Sequence, residues 1–370
     1  MKGVFVERFE LGGEGPSIGI KDCIDIAQHV TFAGSRALAE QPPAAEHATV
    51  VQALLDNGWY IVGKLTMHEL AFGMSGINEW SGTPLNPQDP TLITGGSSSG
   101  SAVAVGAGLM DAALGTDTGG SIRLPAACCA VHGFKPTFGR VSRKGLHPAE
   151  SSLDCVGPFA RDMNTLIRVM QALDSSFKSE AAPESPRIAL VRTDSDAPIV
   201  EALTQVLKKT GWQVEIVELP LMREAFQAAV DVISAETWAA FGHFTERGLL
   251  GADVEARLLQ AKQTSSQALA HAEEIRQRFQ SHVESTLTQF DALVMPTLPR
   301  LPPSVERVRN GEPLLELSAL VRPFNLSGHP ALSMPLPLPG TRLKAGLQVI
   351  GALGDDAKVC AVGKALSQYL

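Results

Sequence analysis

The chain has 370 residues, of which 44% are hydrophobic and 19% are charged, a composition typical of a soluble globular protein with a large core. The net charge of −8 at pH 7 argues against nucleic acid as the main partner, because nucleic-acid binding needs a clustered basic surface. The N-terminus lacks an uninterrupted apolar segment, and Asp111 interrupts the central apolar run, so neither a signal peptide nor a membrane span is expected.

The first half of the chain predicts short strands that alternate with short helices. The earliest strand ends at Lys21, which it would deliver to one edge of the sheet. In the predicted helix at 121–131, Pro125 falls in the first turn, where proline is tolerated. The predicted elements of this half are strands at 17–20, 60–62 and 112–115 and helices at 49–57, 99–109 and 121–131.

In the second half, the sequence predicts helices and strands that alternate more regularly. The predicted fold class is therefore α/β, with a mostly parallel or mixed sheet covered by helices on both faces. The stretch 253–288 is expected to form a long helix with a solvated charged face, which is also a candidate surface for a homodimer. The predicted elements of this half are helices at 162–173, 198–209, 253–288 and 356–370 and strands at 187–191, 213–217, 291–295 and 346–350.

Two turns rich in glycine and serine, GGSSSGS at 95–101 and GTDTGGS at 115–121, flank an apolar segment. Glycine allows positive φ and close approach of the backbone, and serine supplies a hydroxyl that can donate, accept or attack. A purely structural turn seldom needs both, twice, in one segment. We therefore expect the turns to form two walls of one pocket, with Ser97 on one wall and Ser121 on the other.

The sequence offers no pattern for a metal or a nucleotide. No two histidines are spaced i, i+4, and no CxxC occurs, so neither a dedicated metal site nor a metal cofactor is expected. The 95–101 turn lacks the Gly-Lys-Ser/Thr ending of a P-loop, and the GxGxxG fingerprint is absent there as well.

Acyl transfer by serine fits better, in one of two arrangements. The segment 96–100 formally matches the G-x-S-x-G nucleophile elbow with Ser98, but His329 is the only late histidine and lies in a loop before proline. In the second arrangement Ser121 follows a glycine turn whose N–H groups could form an oxyanion hole. A buried neutral lysine can serve as the base. From the residues alone, the candidate bases are Lys21, Lys64 and Lys135.

The chain resembles the amidase signature family through GGSSSGSAVAVGAG at 95–108 and GTDTGGSIRLPAACCAVHGFKPT at 115–137. The resemblance covers nearly the whole chain and implies a single domain over 1–370, with its core motif region at 95–137, a variable helical middle at 173–289 and a central mixed, twisted sheet. Further matching segments are IGIKD at 18–22, GPFARD at 157–162, FDALVMPT at 290–297, FNLSGHPALSMP at 324–335 and GLQVIG at 346–351. In its short length and in GTPLNP the chain looks most like the plant-type indole-3-acetamide hydrolases and their bacterial relatives.

The family works with a Ser–cis-Ser–Lys triad, and the resemblance assigns each member to one residue here. The lysine of IGIKD is Lys21, the bridging serine preceded by a cis peptide is Ser97, and the nucleophile is Ser121. Neutral Lys21 would draw a proton through Ser97 while Ser121 attacks an amide carbonyl, and water would then cleave the acyl-enzyme. The oxyanion would be held by four backbone N–H groups, those of Thr118, Gly119, Gly120 and Ser121.

The same resemblance implies supporting roles for other residues. Asp117 and Arg123 would hold the second turn in shape, and Lys64, in a second family motif, would be structural. Three positions depart from the family pattern: Cys128 replaces a usual aromatic residue, Ala130 a usual glycine, and Cys155 a common threonine.

The resulting expectation is an amidase that converts a small carboxamide to carboxylate and ammonia or amine, with no cofactor and no metal. The alternatives are a glutaminase-type subunit of a tRNA-dependent amidotransferase and a non-catalytic binding module. Five unpatterned cysteines predict reduced, buried thiols and a cytoplasmic location.

Overall fold

The computed structural model describes residues 3–370, and in this range eleven strands form one sheet flanked by eleven α-helices. The strands are β1 (Phe5–Gly12), β2 (Ser17–Lys21), β3 (Tyr60–Leu65), β4 (Ala112–Asp117), β5 (His132–Lys135), β6 (Cys155–Ala160), β7 (Arg187–Val191), β8 (Gln213–Val217), β9 (Ala292–Pro296), β10 (Ala331–Pro337) and β11 (Lys344–Ile350). The helices are α1 (Thr49–Asp56), α2 (Ser99–Gly106), α3 (Arg123–Cys129), α4 (Met163–Leu173), α5 (Ala197–Thr210), α6 (Met222–Phe241), α7 (Ala252–Ala261), α8 (Ser266–Leu287), α9 (Val305–Arg309), α10 (Pro323–Leu326) and α11 (Asp356–Leu366).

The strand order is β1-β3-β2-β4-β6-β5-β10-β11-β9-β7-β8. Strand β2 runs parallel to both β3 and β4, and β7 runs parallel to both β8 and β9, while the other pairs are antiparallel. The sheet is therefore mixed, which confirms the predicted fold class. Strands β2 and β4 are parallel neighbours, so Lys21 at the end of β2 and the second glycine-serine turn at the end of β4 lie at the same edge of the sheet.

The helix after the first serine turn packs unusually close to the sheet. Every residue of α2 from Ser99 to Val105 is buried. A Cβ placed on Gly100 would lie 2.6 Å from the Thr66 carbonyl oxygen and 2.8 Å from the Val4 carbonyl oxygen, so only glycine fits there. The small side chains of this segment let α2 lie against β4 and fix the first turn in space.

Several elements differ from the expectations. The predicted long helix over 253–288 is wrong as one element, because α7 ends at Ala261 and α8 begins at Ser266, where Ser265 caps the new helix by accepting from the Ala268 N–H. The longest unpredicted element is α6, which is buried at positions all along its length and shows no clear apolar stripe. Strands β1, β6 and β10 were also not predicted, and the last two contain prolines that favour a loop interpretation.

Candidate active site

A cavity of about 1270 Å³ opens at the end of β4, where the second glycine-serine turn leads into α3. Ser121, Thr118 and Gly119 of that turn form part of its wall. Apolar side chains, among them Phe72, Met74, Trp80, Ile233 and Leu250, line other parts. Polar and charged side chains line the rest of the cavity, whose size suits a small organic molecule.

Behind this wall, Lys21 at the end of β2 reaches into the interior and contacts two hydroxyls. Its Nζ lies 2.7 Å from Ser97 Oγ and 2.7 Å from Thr116 Oγ1. Lys21 and Ser97 are fully buried, and the Gly96–Ser97 peptide bond is cis. The structure thus brings together two of the three residues assigned to the triad.

Burial lowers the pKa of the Lys21 amine from its ordinary value, because a charge loses its hydration in the interior. The nearby thiol of Cys23 and the carboxylates of Asp154 and Asp117 act in the opposite direction. No carboxylate forms a salt bridge with Lys21 among the described residues, so desolvation dominates. An amine in such surroundings can be neutral and accept a proton.

The third assigned residue, Ser121, lies at the cavity wall and is joined to the first turn through the backbone. The Ser98 N–H donates to the Ser121 carbonyl oxygen at 3.3 Å. Within residues 3–370, the hydrogen bonds made by the Lys21 amine reach Ser97 and Thr116, and no side-chain hydrogen bond links Ser97 to Ser121. The structure therefore holds the two turns side by side, but the hydrogen bond from Ser121 to Ser97 that would complete the proton path to Lys21 is not formed.

The second turn is folded around the carboxylate of Asp117. Its Oδ1 accepts from the Gly120 N–H at 2.7 Å, and its Oδ2 accepts from the N–H groups of Ile122 at 3.1 Å and Arg123 at 3.3 Å. These bonds draw the chain into a tight loop that presents Ser121 at the start of α3. They also occupy the Gly120 N–H, which therefore points at Asp117 in this structure.

A buried ion pair locks that carboxylate in place. Arg123 Nε and Nη2 each lie 3.0 Å from one Asp117 oxygen, and both residues are fully buried. Burial alone would raise the pKa of Asp117, but the Arg123 charge and its hydrogen bonds hold that pKa well below its usual range. Arg123 also donates to Asn325 Oδ1, Gln348 Oε1 and the Val321 carbonyl oxygen, which fixes α3 to β11 and α10.

The remaining sequence candidates lie elsewhere or face other partners. Lys64 pairs with Asp22 at 3.1 Å and donates to the Val30 carbonyl oxygen. Lys135 donates to the Pro136 carbonyl oxygen at 3.0 Å. These contacts give both lysines structural partners outside the cavity wall, whereas Lys21 contacts a serine of the first turn.

The nucleophile-elbow alternative receives no support from the contacts of its two residues. Ser98 is fully buried, and its hydroxyl donates to the Thr116 carbonyl oxygen at 3.2 Å. His329 lies 2.8 Å from Ser327 Oγ and 2.8 Å from Glu284 Oε1. The histidine and the serine thus have different partners, and the arrangement that an elbow needs is not formed.

Comparison with known proteins decides the family. The family model described as Amidase matches residues 14–360, which is nearly the whole chain. The chain belongs to the amidase signature family. Within that family it is 35% identical over 402 aligned residues to a glutamyl-tRNA(Gln) amidotransferase subunit of Chloroflexus aurantiacus, covering 95% of this chain and 82% of the relative. It is 30% identical to fatty acid amide hydrolase of Arabidopsis thaliana, covering 98% of this chain and 66% of that protein.

Solved structures of the family have the same fold. A crystal structure of an amidase superposes with a TM-score of 0.88 at 30% identity, covering 96% of this chain and 85% of the other. The expected fold and family are therefore confirmed, and the chain is an amide-hydrolysing enzyme of the amidase signature type. Among residues 3–370, no helix has the length and apolar character needed to cross a bilayer.

The structure adds polar residues that the sequence analysis did not single out. Thr116 lies within the GTDTGGS motif and holds the Lys21 amine, and Asn325 lies within FNLSGHP and donates to Asp117 Oδ1 at 2.8 Å. Their positions inside the motifs were a usable signal. Arg322, two residues before the start of that second segment, lines the cavity and carried no such signal.

Proposed function

We propose that this amidase hydrolyses the carboxamide C–N bond of a small molecule through an acyl-enzyme on Ser121, with Ser97 as proton relay and Lys21 as base. The observation that supports it most directly is the 2.7 Å contact between the buried Lys21 amine and Ser97 Oγ, next to a cavity with Ser121 at its wall. A buried amine with a lowered pKa that contacts a serine hydroxyl beside a cavity is suited to accept a proton.

The proposed steps follow from these contacts. Neutral Lys21 accepts a proton from the Ser97 hydroxyl, and Ser97 takes one from Ser121 as the latter attacks the amide carbonyl carbon. Collapse of the tetrahedral intermediate breaks the C–N bond, and the proton returns through Ser97 to the departing nitrogen. Water then attacks the ester and releases the carboxylate by the same proton path. The proposal requires the Ser97–Ser121 hydrogen bond to form when substrate binds, as catalytic hydrogen bonds often tighten at that stage.

The backbone of the second turn would stabilise the negative charge on the carbonyl oxygen. Four N–H groups, those of Thr118, Gly119, Gly120 and Ser121, were the candidates for this role. Because the Gly120 N–H already donates to Asp117, the proposal relies mainly on the other three. Asp117 and Arg123 support the site by holding that turn in one conformation.

A second candidate function is that of a glutaminase-type subunit in a tRNA-dependent amidotransferase. The observation in its favour is the 35% identity to a glutamyl-tRNA(Gln) amidotransferase subunit over 95% of the chain. Such a subunit works with partner proteins, whereas the proposed amidase acts by itself. Ammonia release from simple amides by the purified chain alone separates the two, since the subunit would need its partners.

Labelling by an alkyl fluorophosphonate tests the proposed nucleophile. The probe should modify Ser121 in the native enzyme, and the Ser121→Ala variant should lose both labelling and amide turnover. Ser99→Ala is a matched control, because the buried Ser99 hydroxyl has no hydrogen-bond partner among the described residues. This variant should still be labelled. Modification at another serine, or turnover by Ser121→Ala, would contradict the proposal.

A further inference from the structure

Within residues 3–370, Arg322 is the buried arginine of the cavity wall that lacks a carboxylate partner, whereas Arg36, which also lines the cavity without a salt bridge, is exposed. Arg257 pairs with Asp253, and Arg309 lies 2.7 Å from Glu79. Arg322 lines the same cavity, yet within residues 3–370 it forms no salt bridge. Its Nε donates to Ser318 Oγ at 3.1 Å and its Nη2 lies 3.5 Å from Met74 Sδ, which leaves several N–H groups without a protein acceptor.

The surroundings of Arg322 make that lack of a partner costly. The residue is only 7% exposed, and its guanidinium lies over the Phe226 ring at 5.8 Å from the ring centre. Burial lowers the pKa of Arg322 to about 10, against the opposing effect of Asp117, so the group stays charged at neutral pH. A buried charge without a counter-charge is unfavourable, and proteins rarely keep one unless a ligand supplies the opposite charge.

The position of this charge relative to the proposed nucleophile limits what can complete it. A Cβ placed on Gly119 would lie 3.2 Å from both Arg322 Cζ and Nη1, so the guanidinium packs against the turn that carries Ser121. Because consecutive Cα atoms are about 3.8 Å apart, the Cα atoms of Gly119 and Ser121 are at most about 7.6 Å apart. An anionic group held by Arg322 would therefore lie only a few bonds from an amide carbonyl at Ser121.

We propose that Arg322 binds a carboxylate carried by the substrate, so that this enzyme prefers monoamides of short dicarboxylic acids. The inference rests on the proposed function and specifies its substrate class. In a primary carboxamide the acyl part is the only place for such a carboxylate, since the leaving group is ammonia. The planar guanidinium matches a carboxylate through two parallel N–H···O bonds, and it is already held in place by Ser318 and Met74.

Two pairs of substrates of matched length test the inference: succinamate against butanamide, and glutaramate against pentanamide. The native enzyme should have the higher kcat/KM for the anionic member of at least one pair. In Arg322→Met that preference should fall by about 30-fold or more, as expected for loss of one partner of a buried charged pair, and mainly through KM. Arg322→Lys, which keeps the charge but not the bidentate geometry, should retain part of the preference.

Arg309→Met is the matched control, because Arg309 already has a carboxylate partner at the cavity rim. It should keep the native preference. Thermal unfolding of each variant shows whether it is folded, and the shift in melting temperature caused by succinate or glutarate provides a readout that does not need turnover. This shift should be present in the native enzyme and Arg309→Met and absent in Arg322→Met.

The outcomes separate the inference from the function beneath it. If Ser121 is labelled and neutral amides are hydrolysed at least as well as their anionic counterparts, the proposed function stands and the inference is overturned. If Arg322→Met keeps the native preference or the dicarboxylate shift, the inference is likewise overturned. If Ser121 is neither labelled nor needed for turnover, the proposed function fails, while the dicarboxylate shift still reports whether Arg322 binds a carboxylate.

Discussion

Arg123 and Asp117 face each other through two N···O contacts of 3.0 Å, and neither side chain is exposed to solvent. Around this pair the turn between β4 and α3 closes, because the same carboxylate accepts three backbone N–H groups. A buried ion pair gives little net stability by itself, but breaking it leaves an uncompensated charge. The geometry of the proposed oxyanion site therefore depends on two side chains that touch no substrate.

Arg123→Met should therefore destabilise the fold by about 3–5 kcal/mol, the cost of stranding a buried carboxylate. The variant should also lose most of its kcat, because the Asp117-centred turn that carries Ser121 is no longer held. Urea unfolding and steady-state kinetics measure the two effects. Arg192→Met is the control, since the Arg192–Glu218 pair is exposed and should contribute little. Equal stability of both variants would show that the buried pair does not organise the turn.

The pH profile of kcat/KM should report the Lys21 amine. Burial lowers its pKa from the ordinary lysine value, and only the neutral form accepts a proton from Ser97. The rate should therefore rise from acid to mildly alkaline pH and level off below the usual lysine range of about 10.4. A flat profile over this interval, measured with a neutral amide, would contradict a lysine base.

Replacing the base tests the same assignment by another route. Lys21→Ala should lower kcat by about 10²- to 10⁴-fold, the usual contribution of a positioned proton acceptor. Lys64→Ala is the comparison, because the Lys64 amine pairs with Asp22 and donates to the Val30 carbonyl. Lys64→Ala should mainly lower the free energy of unfolding measured in urea. Its kcat per folded molecule should fall to a smaller extent. The opposite pattern would transfer the role of base from Lys21 to Lys64.

The sequence predicted those parts of the molecule whose chemistry is local. The two glycine-serine turns, the strand ending at Lys21 and the α/β class follow from glycine, serine and apolar spacing within short windows. The choice among Lys21, Lys64 and Lys135 did not, because it depends on which carbonyls and carboxylates each amine meets across the fold. The family resemblance, not the spacing, selected Lys21.

Two further features escaped the sequence for tertiary reasons. Helix α6 packs against α8, so its apolar residues spread around the axis instead of forming the stripe that marks a surface helix. The sequence predicted the Gly120 N–H as an oxyanion donor, but this N–H donates to the Asp117 carboxylate three residues earlier. Whether a turn donor is free depends on side chains that fold back onto it.

Acid should weaken the fold through His132. Burial lowers the pKa of His132 to about 4, and its Nδ1 has no hydrogen-bond partner among residues 3–370. The unfolded chain, with a histidine pKa near 6.5, binds more protons than the folded chain between these values. The contribution of neutral His132 to the free energy of unfolding is thus fully present above about pH 6.5 and is lost as the pH falls toward 4. His132→Gln should reduce the slope of unfolding free energy against pH in this window by up to about 1.4 kcal/mol per unit. An unchanged slope would exclude His132 as a contributor.

The C-terminus of α3 carries an alanine in a left-handed conformation, where the family resemblance places a glycine. Ala130 has φ 54° and ψ 47°, and its N–H donates to the Ala126 carbonyl oxygen. A residue with a Cβ is strained in this region by about 1–2 kcal/mol, whereas glycine is not, although glycine loses more entropy on folding. Ala130→Gly should therefore raise the unfolding free energy by about 1 kcal/mol in urea titrations. Ala107→Gly is the matched control, because Ala107 ends α2 with a negative φ of −84° and gains no relief. It should be neutral or destabilising, and equal effects of the two changes would show that the left-handed strain at Ala130 is not what limits stability there.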